Sequence, residues 1–241
     1  MKNLLKYFFA NKKFTFKINN SKLLVRPRTH DLYIIHTIFK QKDYLPTITE
    51  LKNVKNILDL GANIGTFSLW ANDQYQPKKI IAVEPEQENF SILKQNIRLN
   101  DDKKVIKPLN TAIYKEKTAI GMKKWSYNKG MHSLDEESTE NQVETITFKK
   151  LINSEFKNEM IDFLKIDIEG AEKYIFTKEN KGIIKNQVKY IAMETHKIWG
   201  YSKEQALKYF AEIGFEAKAR KNKFYKSCGV SLVEAVNEKV S

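Results

Sequence analysis

The stretch NILDLGANIG, residues 56–65, spends two of the chain's nine glycines on one turn and sets an acid, Asp59, two residues ahead of the first. A hydrophobic strand that ends in a glycine turn and runs into a helix lets a ligand approach the backbone closely. The acid narrows the choice of ligand. A dinucleotide turn reads G-x-G-x-x-G and receives a pyrophosphate on bare N–H groups. A carboxylate at Asp59 would repel that charge and suits an ammonium group instead. Glu84 closes the next hydrophobic run, in AVEP, at the strand end where a carboxylate bonds ribose hydroxyls. An ammonium at one end and a ribose at the other describe a nucleoside carrying an amino acid in place of phosphates. S-adenosylmethionine is that molecule. The expected cofactor residues are Asp59, Gly61, Ala62, Asn63 and Gly65 around the methionine portion, Glu84 with Pro85 at the ribose, and Asn110 facing the adenine edge. Close packing of strand on helix is the structural alternative for the glycines.

A second constellation lies downstream. Asp167 and Glu169 are two apart, as are Glu194 and His196, and in extended backbone residues two apart share a face. Three carboxylates and one imidazole would then converge on the rim where a methyl group is delivered. Methyl transfer to a hydroxyl needs the acceptor aligned and its proton removed. An imidazole titrates nearest neutrality, so His196 is the expected general base, with Glu194 or Asp167 as its orienter. Asp167 and Glu169 are expected to position cofactor and substrate. A turn-stabilising acid pair and a loop-capping histidine are the alternatives. The same groups could bind a divalent cation, but the sequence shows no tight ligand spacing and no metal is expected. His30, His36 and His132 read as surface or packing residues.

These residues need a scaffold, and its periodicity is legible. FTFKI (14–18) and KLLVRP (22–27), separated by NNS, predict a hairpin, and HDLYIIHTIFKQ (30–41) predicts a helix with Asp31 in its first turn. Strand and helix then alternate: NILDLG, TFSLWANDQ, KKIIAVEP, ENFSILKQNIRLN and the strand VIKPLNTAIY (105–114). Residues 119–148 break the rhythm with short β-like pieces that could shape a substrate pocket. Alternation resumes with IDFLKIDIEG, a helix over AEKYIFTKE (171–179), the strand VKYIAMETH, the helix SKEQALKYFAEIG and two final strands, FEAKARK and GVSLVEAV. This predicts an α/β, doubly wound, mostly parallel sheet with an antiparallel edge strand and an N-terminal hairpin-helix extension. Residues 1–50 are expected to pack as that extension on a domain spanning 51–241.

Four segments, RPRTHDLYIIHTIFKQKDY (26–44), NILDLGANIG, FLKIDIEGAE (163–172) and YIAMETH (190–196), together resemble the FkbM family of S-adenosylmethionine-dependent methyltransferases. The resemblance runs from about Arg26 to His196 and implies a class I, Rossmann-like fold. It implies methylation of a hydroxyl oxygen on polyketide-derived molecules, sugars or glycans, and by the same analogy Thr29, Asp31 and Tyr44 close over the cofactor. The chain departs from the family in two places. Phe148-Lys149 stands where many relatives carry a Leu-Asp pair, and His132 is atypical in the loop YNKGMHSL (127–134).

Composition bounds the remaining possibilities. With 41% hydrophobic and 12% aromatic residues the chain can build one substantial core, and 29% charged residues suit a soluble surface. No apolar run approaches the ~18 residues that cross a bilayer. LLKYFFA, interrupted by Lys6, reads as an amphipathic segment packed on the domain, with a weak peripheral membrane contact as the alternative. A single cysteine, Cys228, excludes an intrachain disulfide and fits a cytoplasmic location. The net charge of +13 comes largely from lysine pairs scattered along the chain, so no nucleic-acid partner is expected. The expected partner is a small-molecule or glycan hydroxyl acceptor. An RNA methyltransferase and an inactive partner-binding module of the same fold are the competing readings.

Overall fold

Alternating inward and outward side chains draw residues 14–25 into an antiparallel hairpin of β1 (Phe14–Ile18) and β2 (Ser21–Val25), with Phe14 opposite Val25. The computed structural model describes residues 12–124, 132–138, 140–220 and 230–238. The segment LLKYFFA, most of the loop YNKGMHSL and Cys228 lie outside them. Helix α1 (Asp31–His36) follows and widens into a π-type turn over Thr37–Gln41, which stops where Lys42 turns left-handed at φ 57°.

The alternation then unfolds as β3 (Asn56–Leu60), α2 (Thr66–Tyr75), β4 (Lys79–Val83), α3 (Gln87–Asn100) and β5 (Ile106–Leu109). The short strands β6 (Ala112–Ile113), β7 (Ala119–Lys124), β8 (His132–Asp135) and β9 (Val143–Ile146) form a second sheet in the order β6-β9-β7-β8. Helix α4 (Phe148–Glu155), β10 (Ile161–Ile166), α5 (Lys181–Gln187), β11 (Val188–His196), α6 (Lys203–Ile213), β12 (Glu216–Arg220) and β13 (Val230–Val236) complete the chain. The main sheet runs β12-β13-β11-β10-β3-β4-β5. Its members from β11 to β5 are parallel, and β13 inserts antiparallel between β11 and β12, one place in from the edge.

Strands β3, β4 and β10 are buried along nearly their whole length, as a sheet covered on both faces requires. The pleat sends successive residues to opposite layers. Ile57, Ile80 and Phe163 face the layer of Leu23, Ile35, Phe67 and Ile92. Leu58, Ile81 and Leu164 face that of Leu151, Ile184 and Phe210. The hairpin and α1 thus share one hydrophobic layer with α2 and α3. Pro108 sits in β5, the edge strand, where a missing N–H costs no ladder bond. Among the described residues, no helix is long and apolar enough to cross a membrane.

Three elements differ from the sequence expectation. The single strand expected over 105–114 is divided between the two sheets, because Asn110 Nδ2 turns back to donate to the carbonyls of Glu84 and Pro85, both at 2.9 Å. The helix expected over 171–179 is one turn, Ala171–Tyr174, with Glu172 drawn completely into the interior. Helices α4 and α5 are additional. Thr147 caps α4 by accepting from Lys150 N–H, and Phe148 buries its ring beneath the sheet.

The tips of β3 and β10 meet at one glycine. Gly61 has φ +83°, and a Cβ built there would lie 1.7 Å from the Asp167 carbonyl oxygen. Gly200 shares the left-handed backbone, at φ +95°, but has open space around it. Gly61→Ala is expected to lower stability by about 3 kcal/mol or more, against about 1 kcal/mol for Gly200→Ala, as read from urea unfolding.

Candidate active site

The carboxyl ends of β3, β4, β10 and β11 open into a cavity of ≈ 250 Å³, walled opposite by Tyr33, Ile38 and Tyr44 and by Met122 and Leu134 of the second sheet. Ligands of open α/β sheets bind at such strand ends. One end of the cavity is organised by Glu84. Its Oε2 accepts the Asn63 N–H at 2.8 Å, and its Oε1 accepts the Glu86 N–H at 2.9 Å and Asn89 Nδ2 at 3.4 Å. Burial outweighs these bonds and pushes the Glu84 carboxyl up to about 7. Gly61, Ala62, Asn63 and Pro85 line the same end.

Several residues expected at the cofactor do something else. Asp59 is fully buried outside the cavity lining, where its carboxylate accepts from Ser68 Oγ at 2.6 Å and pairs with Lys165 Nζ at 3.2 Å. Lys165 in turn donates to the Gly61 carbonyl at 2.6 Å and reaches the cavity. Burial alone would lower its pKa, but Asp59 and then Asp167 outweigh that and hold the ammonium above its ordinary value. Asp59 therefore acts on the glycine turn through Lys165. Gly65, outside the lining, is the left-handed residue ahead of α2, packed beside Leu93. Asn110 braces the Glu84-Pro85 backbone and does not line the cavity.

Thr29 and Asp31 likewise stay out of the cavity. Thr29 Oγ1 donates to the Arg26 carbonyl and accepts the Asp31 N–H. Asp31 grips Arg26 through Nε at 3.1 Å and Nη2 at 2.9 Å, and Arg26 Nη1 donates to Asn89 Oδ1 at 2.8 Å. A chain of buried bonds thus runs from Asp31 through Arg26 and Asn89 to Glu84. Sequence reasoning missed Arg26 and Asn89. Their signal was an arginine closing β2 and an amide five residues past Glu84.

The other end of the cavity gathers acids. Tyr44, placed by the turn after α1, has its hydroxyl 3.3 Å from Glu194 Oε1 and 3.5 Å from Asp167 Oδ2. Arg220 fastens this turn by donating to the carbonyls of Asp43 and Leu45, and Glu234 accepts from Thr47 N–H. Burial, then Asp167, pushes Glu194 up to about 8, and burial raises Glu169 well above the usual carboxylate range. Glu169 and Asp167 do not project from a strand. β10 ends at Ile166, and left-handed turns at Glu169 (φ 52°) and Gly170 (φ 97°) bring the acids round to His196.

His196 is almost wholly buried. Its Nδ1 lies 2.8 Å from Glu172 Oε1, and its Nε2 lies 3.3 Å from Glu169 Oε2 and 3.8 Å from Asp167 Oδ1. Burial alone would lower its pKa, but Glu172, Glu169 and Asp167 together push it up to about 10. Acids on both ring nitrogens favour the protonated imidazole, which runs against its expected role as free base. Its orienter is Glu172, not Glu194 or Asp167. An acid three residues past Glu169, in the turn facing the cluster, was the sequence signal. His30, expected at the surface or in packing, is exposed at the cavity rim. One donor atom each of Asp167, Glu169 and His196 lies within 4.8 Å of the others, a grouping able to hold a metal ion.

Strand order, a cavity at the carboxyl ends and an acid closing the second strand of the parallel run define a class I, Rossmann-like methyltransferase. The profile of the methyltransferase FkbM domain matches residues 59–217. The chain belongs to the FkbM methyltransferase family. It is 27% identical over 136 residues to methyltransferase 1 of Beauveria bassiana, covering 48% of this chain and 55% of that protein. It is 27% identical over 162 residues to methyltransferase sdnD of Sordaria araneosa, covering 54% and 62%. The matches thus span little more than half the length of these relatives. Among solved structures it resembles an FkbM methyltransferase from Methylobacillus flagellatus, with TM-score 0.57, 13% identity and coverage of 83% and 47%. It also resembles M. jannaschii TYW2 in complex with AdoMet, with TM-score 0.51, 14% identity and coverage of 95% and 87%. At such identities the likeness is one of fold.

A ribose hydroxyl bonding Glu84, as the sequence leads one to expect, would favour its ionised form, so binding would expel a proton and affinity for S-adenosylhomocysteine is expected to rise with pH through about 7, then level. Calorimetry across that range checks this, with Glu84→Gln expected to flatten the profile. Arg26→Lys loses the fork on Asp31 and the bond to Asn89, and should weaken the same binding about tenfold with kcat little changed.

Proposed function

We propose that this chain transfers the methyl group of S-adenosylmethionine to a hydroxyl oxygen of a sugar, a glycan precursor or another small hydroxylated molecule. One observation carries the choice of acceptor. Asp167, Glu169 and Glu194 line the cavity on the side of Tyr44, with Glu172 behind His196. Such a lining offers hydrogen-bond partners to hydroxyl groups. The residues present fit the cofactor as well: a buried carboxylate, Glu84, faces one end of the cavity beside the backbone of Gly61–Asn63. When bound, S-adenosylmethionine supplies an electrophilic methyl on a sulfonium.

The chain's own residues divide the remaining work. Glu84 holds the ribose hydroxyls, and the network behind it fixes the carboxylate before the ligand arrives. Glu194 faces the cavity within reach of Tyr44 and takes the acceptor's proton. Tyr44 holds Glu194 and Asp167 in position, and His196 lies against Glu169 and Asp167. The net charge of +13 is the feature that favours an RNA acceptor instead, and the scatter of its lysine pairs along the chain weighs against it.

Labelled-methyl transfer to a panel of sugars, hydroxylated metabolites, carboxylic acids and RNA tests the reading. Transfer to hydroxyls is expected, while salt-sensitive transfer to RNA alone would overturn it. Glu194→Gln should lower kcat by roughly 10² to 10⁴ and leave S-adenosylhomocysteine binding in place by calorimetry.

A further inference from the structure

Asp167, Glu169 and His196 each aim one donor atom at a common point beside the cavity, all within 4.8 Å of one another. His196 Nε2 stands 3.3 Å from Glu169 Oε2 and 3.8 Å from Asp167 Oδ1. In an octahedral shell of radius ~2.2 Å, adjacent donors lie about 3.1 Å apart and opposite donors about 4.4 Å. The two distances from His196 Nε2 fall between these limits.

Two observations reach beyond proximity. His196 Nδ1 is held at 2.8 Å by Glu172, a carboxylate with no solvent exposure. That is how a ligating imidazole is oriented, with its second nitrogen bonded to an acid that touches no ion. Glu169 Oε2, sealed from solvent, makes no hydrogen bond and has only the close approach of His196 Nε2 at 3.3 Å, and a cation set between the two would satisfy both. Asp167, Glu169 and His196 also line the cavity, which leaves open coordination positions on its side.

We infer that Asp167, Glu169 and His196 bind a divalent cation that takes the place of the His196 Nε2 proton, which is released on binding, with Glu172 as a positioning residue behind His196. Two carboxylate oxygens and one imidazole nitrogen suit Mn²⁺ or Mg²⁺ rather than a thiophilic metal. Glu194 lines the same cavity, and an ion bound there would hold and polarise the oxygen of the acceptor. In that role the site deepens the methyl-transfer reading and rests on it. Binding of the ion is measured without any methyl donor.

The test is a titration of the full chain with Mn²⁺, following the free ion by electron paramagnetic resonance. One saturable ion per chain is expected. Glu169→Gln and His196→Gln should weaken it at least about 30-fold, and Glu172→Gln about 10- to 100-fold. Retained S-adenosylhomocysteine binding in each variant shows that the cavity is folded, and Asp167→Asn replaces any variant that fails this check. Absence of a saturable site, or equal affinity in the parent and variant proteins, overturns the inference. S-adenosylhomocysteine binding without Mn²⁺ removes the ion alone, whereas Mn²⁺ binding without S-adenosylhomocysteine removes the methyl-transfer reading and leaves the ion.

Discussion

The active end of this molecule depends on balancing charge that has been taken out of water. Asp59, Asp167, Glu169, Glu172 and Glu194 gather around the tips of three adjacent strands, and among the described residues the cations set directly among them are Lys165 and His196. A buried carboxylate without a partner is expensive, and a buried pair offsets its desolvation only when further bonds satisfy both groups. Lys165 meets that condition. It pairs with Asp59 while donating to the Gly61 carbonyl, so the ion pair also fixes the turn that brings β3 against β10.

The same economy of contacts explains why the N-terminal segments belong to the site. β2 and the turn before α1 deliver Arg26 to Asn89, and through it stiffen the Glu84 end. The turn after α1 delivers Tyr44 to Glu194 and Asp167, and it is fastened from the far side by Arg220 and Glu234 on the two antiparallel strands. Glu234 is itself fully buried and bonded by the Tyr190 hydroxyl at 2.6 Å. The N-terminal segments thus reach both ends of one cavity, and hydrophobic sharing between the hairpin, α2 and α3 makes its walls one body.

His196 illustrates how surroundings override residue type. An imidazole alone titrates near neutrality and suits a general base. Three acids around it reverse the preference, and in the proposed mechanism the role of proton acceptor moves to a carboxylate, Glu194, whose burial raises its proton affinity. The acids are therefore not interchangeable: Glu172 orients from behind, Asp167 and Glu169 face the imidazole, and Glu194 faces the cavity.

Alternation of apolar runs was enough to read β3, β4, β10 and β11, the helices between the first of them, and the glycine turn, because each of these rests on periodicity within a few residues. The identity of Glu84 as an acid closing the second parallel strand was equally local. What lay beyond the sequence was pairing. That Asp59 turns inward to Lys165, that Asn110 braces a backbone instead of facing the cavity, that Thr29 and Asp31 serve Arg26, and that Glu172 is the partner of His196 all depend on atoms from segments brought together by packing. The strand over 105–114 divided, and the helix over 171–179 shortened to one turn, for the same reason: long-range bonds from Asn110 and Glu172 outweighed local preference. Side-chain type and spacing determined which groups could do the chemistry. Only the tertiary structure, through burial and proximity across more than a hundred residues of chain, decided which of them are charged, which are spoken for and which face the ligand.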